Sequence, residues 1–298
     1  MFLYSHNVLA GIILTIVGCS GLIFNSFILY KIMFESVFGR TFGYIWSSRG
    51  VAHMGESLVF CCIIGPLTLI DPEKFDSVFV QRLVHSIYFF CSSVVFFNFL
   101  TAVNRMIMVY KPLMYSSIFA RSRTIAYTGI CWLLGLLLAT PNVIDPCQQT
   151  PLNSDLSYYI RIDNCSLLVH FLDILFLPIA LFSTIIVDVV ALLKLYRLPR
   201  VRRSVSNPVN VEASRRTEMQ LCYMILVECI SSLLMFLSLR LGFLVHQEFV
   251  QFLLTTFAWG VYSSVDALIV IIFSVDMHTI RRRKVRPRTN TISSVVHF

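Results

Sequence analysis

The chain has 298 residues, of which 57% are hydrophobic and 13% charged, and its mean hydropathy is +0.77. A soluble domain needs a mixed charged surface, so this composition excludes one and points to an all-α membrane protein. The formal net charge of +8 comes from short basic strips, which suit anionic lipid headgroups and a protein partner and give no sign of nucleic-acid binding.

A helix needs roughly 18 to 20 apolar residues to cross about 30 Å of hydrocarbon. Seven segments qualify: Val8 to Met33, Gly43 to Ile70, Leu83 to Tyr110, Thr124 to Pro141, Leu167 to Tyr196, Met219 to Val245 and Phe249 to Val275. They predict a seven-helix bundle over residues 1–276 with a basic tail over 277–298. The first segment is too long for a signal-peptide core and has no basic stretch before it, so it reads as an uncleaved signal-anchor. Met1 to Asn7 is too short for a binding domain, so recognition from outside falls to the helices and their loops, and to a small ligand.

Nineteen of the 24 Lys and Arg fall on one face if the C-terminus is cytoplasmic, among them Lys31, Arg105, Lys111, Arg121, Arg197 and the run Arg281 to Arg288. The positive-inside rule then places the N-terminus outside. The longest inner stretch, Arg197 to Glu218, holds two prolines with many Ser and Arg and reads as a flexible basic loop. The tail begins as a short interfacial helix and then loses periodicity.

Seven of the nine cysteines lie inside spans as small packing residues. Cys147 and Cys165 lie in the loop after the fourth span, on the oxidising side, and are a candidate disulfide. Asn164 heads the sequon "NCS" in the same loop. A bridge at Cys165 hinders glycosylation of its neighbour, so the two modifications stand as alternatives.

Charge inside a bilayer costs about 2.5–3.5 kcal/mol near the centre, so polar residues there must face the interior. In span three Tyr88, Cys91, Asn98, Thr101 and Arg105 recur at helical spacing, as Trp259, Tyr262, Asp266 and Phe273 do in span seven. Asn25, His53, Glu56, Asp173, Asp188 and Glu228 are the other intramembrane polar residues that bear on the interior. Asn25, His53 and Asp266 suit helix-to-helix hydrogen bonding, a switching network, or both. The outer halves of the spans nominate Tyr88, Cys91, Asp173, Glu228, Ser232, Trp259 and Tyr262 as a ligand pocket. No zinc-protease, serine-hydrolase or phosphate-loop motif occurs, and the reading is a non-enzyme without cofactor or metal.

"NRMIMVYKPLMY", Asn104 to Tyr115, resembles the close of the third helix of rhodopsin-like receptors, an Asp-Arg-Tyr followed by five residues and Pro-Leu-x-Tyr. Asn25, Trp132 and Pro178 resemble that superfamily's marked positions in helices one, four and five. With Phe42-Gly43, "SSRGVAHMGES" and "NRMIMVYKPLMYSSIF", the chain is most similar to the nematode serpentine chemoreceptors of class X. The resemblance implies a G-protein-coupled chemosensory receptor in the plasma membrane of sensory-neuron cilia. Its ligand would be a small odorant or pheromone-like molecule and its partner a heterotrimeric G protein. It also implies that Asn104, Arg105, Pro112 and Tyr115 serve activation and coupling.

Departures accompany it. Asn104 and Met106 replace Asp and Tyr, which makes Glu218 the candidate partner of Arg105. Asp266 stands where the superfamily's Asn-Pro begins, and span six has no proline. The competing class is a transporter or channel relaying ions along Glu56, Asp173, Asp188, Glu228 and Asp266, but no inverted repeat or pair of broken helices accompanies it.

Overall fold

The computed structural model describes residues 2–35, 40–70, 77–144, 176–197, 208–242, 244, 245 and 247–285, with side chains over 7–34, 41–70, 77–140, 176, 178–197, 219–242, 244, 245, 247 and 249–273. Among them seven helices are long and apolar enough to cross a membrane: Asn7–Phe34, Thr41–Ile70, Val78–Tyr110, Arg121–Thr140, Pro178–Arg197, Met219–Gly242 and Phe249–Phe273. These are spans one to seven, and the described residues hold no strand. The bundle predicted from the apolar runs is the fold.

Spans one to four join in order and so do spans five to seven; span five packs on span three, and span seven closes back on span one. Span three lies against spans two, four and five, and it and span seven bury half of their most apolar stretch. Large apolar side chains such as Ile16, Ile23, Leu136, Leu137, Ile179 and Ile186 point outward. On a soluble protein so many would be an aggregation hazard; on a bundle in lipid they are the matched surface.

Two sequence expectations are corrected. The stretch Arg197 to Glu218 was expected to be a flexible loop, yet the helix carrying span six runs from Pro208 to Gly242. Pro208 opens it, where a missing N–H costs no intrahelical bond. Likewise the helix of span seven continues without a break from Ala258 to Val285, so Arg281 to Lys284 ride on that helix and do not begin a separate interfacial one. Pro178 falls in the first turn of the described helix Leu177–Arg197.

Spans two and seven each contain one wide π turn, at Phe60–Ile64 and Leu253–Phe257. Pro66, just past the first, cannot donate to the carbonyl four residues back, and the π turn takes up the mismatch. Small residues let span one approach this irregular segment. A Cβ added at Gly18 would lie 2.5 Å from the backbone nitrogen of Cys61, and one at Gly65 would lie 2.8 Å from that of Thr15.

Two buried apolar layers cap the bundle interior. One, at the π-turn end, is built around Leu14, Phe60, Ile87, Phe252 and Trp259. The other includes Ile28, Phe42, Trp46, Met224, Ile225 and Val270. Along span two the first residues of the second layer, Phe42 and Trp46, are followed by Arg49, His53 and Glu56 before Val59 and Phe60 enter the first. The interior polar residues therefore form a sheet of charge between two oily layers.

Candidate functional site

Phe42, Trp46, Arg49, His53 and Glu56 follow one another at three or four residues, so a helix puts them on one face. That face turns inward: Arg49, His53 and Glu56 are all at most 1% exposed. Arg49 is the hub. Its Nη1 donates to Glu228 Oε2 of span six at 2.7 Å, and its Nη2 donates to Asp266 Oδ1 of span seven. The guanidinium also lies 4.6 Å from the centroid of the Trp46 ring, a cation–π contact suited to a buried arginine.

His53 extends the network. Its Nδ1 lies 3.1 Å from Glu56 Oε2 and its Nε2 lies 3.2 Å from Asp266 Oδ2, while the edge of its ring meets Tyr262 with centroids 5.7 Å apart. Buried charge is tolerated only when paired, because desolvation otherwise costs several kcal/mol per ion. Here Arg49 and His53 of span two meet carboxylates of spans six and seven, and His53 meets Glu56 of its own span as well. The arrangement can hold three helices together, and it can come apart only by breaking ion pairs.

Asn25 stands beside this layer. Its Nδ2 donates to the carbonyls of Gly21, at 2.9 Å, and of Ser263, at 3.3 Å. Hydroxyls continue the seam, with Ser57 and Ser263 oxygens 3.2 Å apart and Ser20 and Ser264 oxygens 3.0 Å apart. Of the expected polar network, His53 and Asp266 pair directly. Asn25 joins span one to span seven through backbone instead.

At the far end of span three Arg105 is 1% exposed. Its guanidinium covers the Phe42 ring at 4.8 Å and Nη1 approaches Cys222 Sγ of span six at 3.9 Å. Asn104 donates from Nδ2 to the Tyr115 hydroxyl at 3.3 Å. Pro112 opens the short helix Pro112–Ile118 that brings Tyr115 back to Asn104, while Arg105 turns away toward Phe42 and Cys222. Glu218 lies in the helix of span six, but its side chain is outside the described ones.

The residues nominated for a pocket divide. Tyr88 and Trp259 meet with ring centroids 5.5 Å apart, and Cys91 packs against the same apolar layer. The Ser232 and Tyr262 oxygens are 2.7 Å apart, one turn from Glu228, and Glu228 itself belongs to the ionic layer beside Arg49. Asp173, Cys147, Cys165 and Asn164 lie outside the described residues.

Sequence reasoning passed over Arg49. The signal was present: an arginine well inside an apolar span, four residues before His53 and seven before Glu56, shares their face and must find acids.

The family model described as serpentine type 7TM GPCR chemoreceptor Srx matches residues 15–274. No curated protein matches the chain.

Proposed function

The chain belongs to the Srx family of serpentine seven-transmembrane chemoreceptors, and from that premise we propose that it binds a small environmental ligand and signals through a heterotrimeric G protein. It is an integral, multi-pass membrane protein; in this reading it stands in the plasma membrane with its N-terminus outside. The ligand enters between spans three, five, six and seven and meets Tyr88, Cys91, Ser232, Trp259, Tyr262 and Asp173. The G protein engages the end of the bundle that carries Asn104, Arg105, Pro112, Tyr115 and Glu218.

One observation carries the mechanism: the Glu228–Arg49–Asp266 ion layer lies between the aromatic end and the Arg105 end and joins the helices that meet at both. With that layer closed, Arg105 is buried under Phe42 and offers nothing to a partner, so the closed packing is the silent one. Tyr262 links the two levels, since it touches Ser232 on one side and His53 on the other. A ligand that binds better when spans six and seven part from span two shifts the population toward the packing that frees Arg105. It acts only through that difference in affinity.

The test is a second-messenger screen of cells expressing the chain against small volatile and soluble odorants, with Arg105→Ala alongside. A ligand response in the parent that is lost in the variant at equal surface level supports the reading. A ligand response that survives Arg105→Ala intact overturns this route to the G protein.

A further inference from the structure

We infer that His53, Glu56 and Asp266 form a proton-binding site shared by spans two and seven, with the proton held as the imidazolium of His53. This goes beyond the receptor reading at the level of the site and rests on that reading only for its link to switching. His53 Nδ1 lies 3.1 Å from Glu56 Oε2 in hydrogen-bond geometry, and Nε2 lies 3.2 Å from Asp266 Oδ2, at ion-pair distance but off the line of a hydrogen bond. A neutral imidazole has one N–H and one bare lone pair. Whichever tautomer formed, that lone pair would be set against a carboxylate oxygen at close range, in a place where His53 is 1% and Glu56 0% exposed. Inside a low-dielectric core such a contact is repulsive, and one further proton turns it into attraction.

The surrounding charges favour the same state. Glu56, Glu228 and Asp266 bring three carboxylates to the layer, against one permanent cation, Arg49. Arg49 engages Glu228 through Nη1 and Asp266 Oδ1 through Nη2, and none of its three guanidinium nitrogens bonds Glu56 among the described contacts. Tyr262 is the remaining titratable group against the ring. Spans one, three and four also pack on span two. Within their bounds Lys31 is the only charged residue of span one, span three has Arg82 and Arg105 with the histidine His85 but no acid, and span four has Arg121 and Arg123. No acid from those spans competes for the proton. The ring nitrogens stand 3.1 and 3.2 Å from the carboxylate oxygens, direct contacts that leave no room for a metal ion at about 2 Å from each, so the cation that fits is a proton.

The site is split between two helices, with Glu56 on the same span as His53 and Asp266 on the other. If span seven separates from span two, the imidazolium loses one of its two carboxylates, and the proton is held less tightly. By reciprocity, a bound proton stabilises the joined packing, and that stabilisation is lost as pH rises.

The experiment is nitrogen-15 NMR of the full chain in lipid nanodiscs, with labelled histidine, across a pH series that passes through the range where exposed histidine becomes neutral. One histidine with both ring nitrogens still protonated at the alkaline end, absent from His53→Gln, is the expected result. A His53 ring with one protonated and one bare nitrogen there overturns the assignment. If His53→Gln does not accumulate, a chain with the other histidines replaced by Gln carries the same resonance by itself. Thermal melting over the same series reads the link to packing: the parent loses stability with rising pH more steeply than His53→Gln. Parallel curves would overturn that link. Neither readout depends on a ligand or a G protein, so failure of the receptor reading leaves both interpretable.

Discussion

Arg49 on span two and Glu228 on span six meet at 2.7 Å with both side chains 1% exposed, although 179 residues separate them. The same guanidinium holds Asp266 of span seven. Truncating one partner of a buried pair costs about 3–5 kcal/mol, because the other charge is left uncompensated. A lock of about 3 kcal/mol present in one packing alone shifts a two-state ratio roughly a hundredfold. Arg49→Met is therefore expected to lower the melting temperature and to raise ligand-free signalling per receptor at the surface. Arg49→Lys, which keeps the charge and loses the fork that reaches two acids, is expected to fall between parent and Arg49→Met in both assays.

A smaller effect is expected where Asn104 donates to the Tyr115 hydroxyl at 3.3 Å. A neutral hydrogen bond contributes about 1 kcal/mol. The bond is made in the silent packing, so Tyr115→Phe should raise ligand-free signalling by up to roughly fivefold, and Asn104→Ala combined with Tyr115→Phe should add little more than either alone. Full additivity in ligand-free signalling would show that the two residues act separately.

The spans were legible because crossing a bilayer requires about 20 apolar residues, a constraint that leaves a plain mark on composition. The inward stripes on spans three and seven were legible too, and Tyr88, Tyr262, Trp259 and Asp266 do face the interior. Arg49 was missed because a helical face shows which residues share a side of one span but not which residue of a distant span they meet. Glu228 illustrates the same limit: its position put it in the pocket, whereas its charge drew it to an arginine that sequence reasoning had not weighed. The π turn before Pro66 has a sequence cue in that proline. The one at Leu253–Phe257 has none, since no proline occurs in span seven.

Glycine packing gives a paired test of the fold. A methyl group at Gly18 would press on the Cys61 backbone at 2.5 Å and must force spans one and two apart, so Gly18→Ala should lower the melting temperature and the amount at the surface. Gly129 has nothing within 4 Å of the same position, and there alanine is expected to gain up to about 1 kcal/mol from helix propensity. Equal stability of the two variants would contradict the close approach of the first two spans.

At the aromatic end, Trp259 packs edge-on to Phe60 at 6.2 Å and against Tyr88 at 5.5 Å. Tyr262→Phe removes the hydroxyl that meets Ser232 at 2.7 Å and leaves the ring against His53. It is expected to change ligand potency several-fold with maximal response retained, whereas Trp259→Ala should weaken potency further and also lower stability. Unchanged potency in both, measured by concentration-response once a ligand is in hand, would remove this end of the bundle from ligand binding.

The most direct measurement compares ligand-free second-messenger levels in cells expressing the parent, Arg49→Met, and Arg49→Met combined with Arg105→Ala, at matched surface amounts. The ion layer as a lock on a silent packing predicts a raised level in Arg49→Met that returns to background when Arg105 is also removed. A level in Arg49→Met no higher than the parent's, from protein shown to be at the surface and folded, would contradict it.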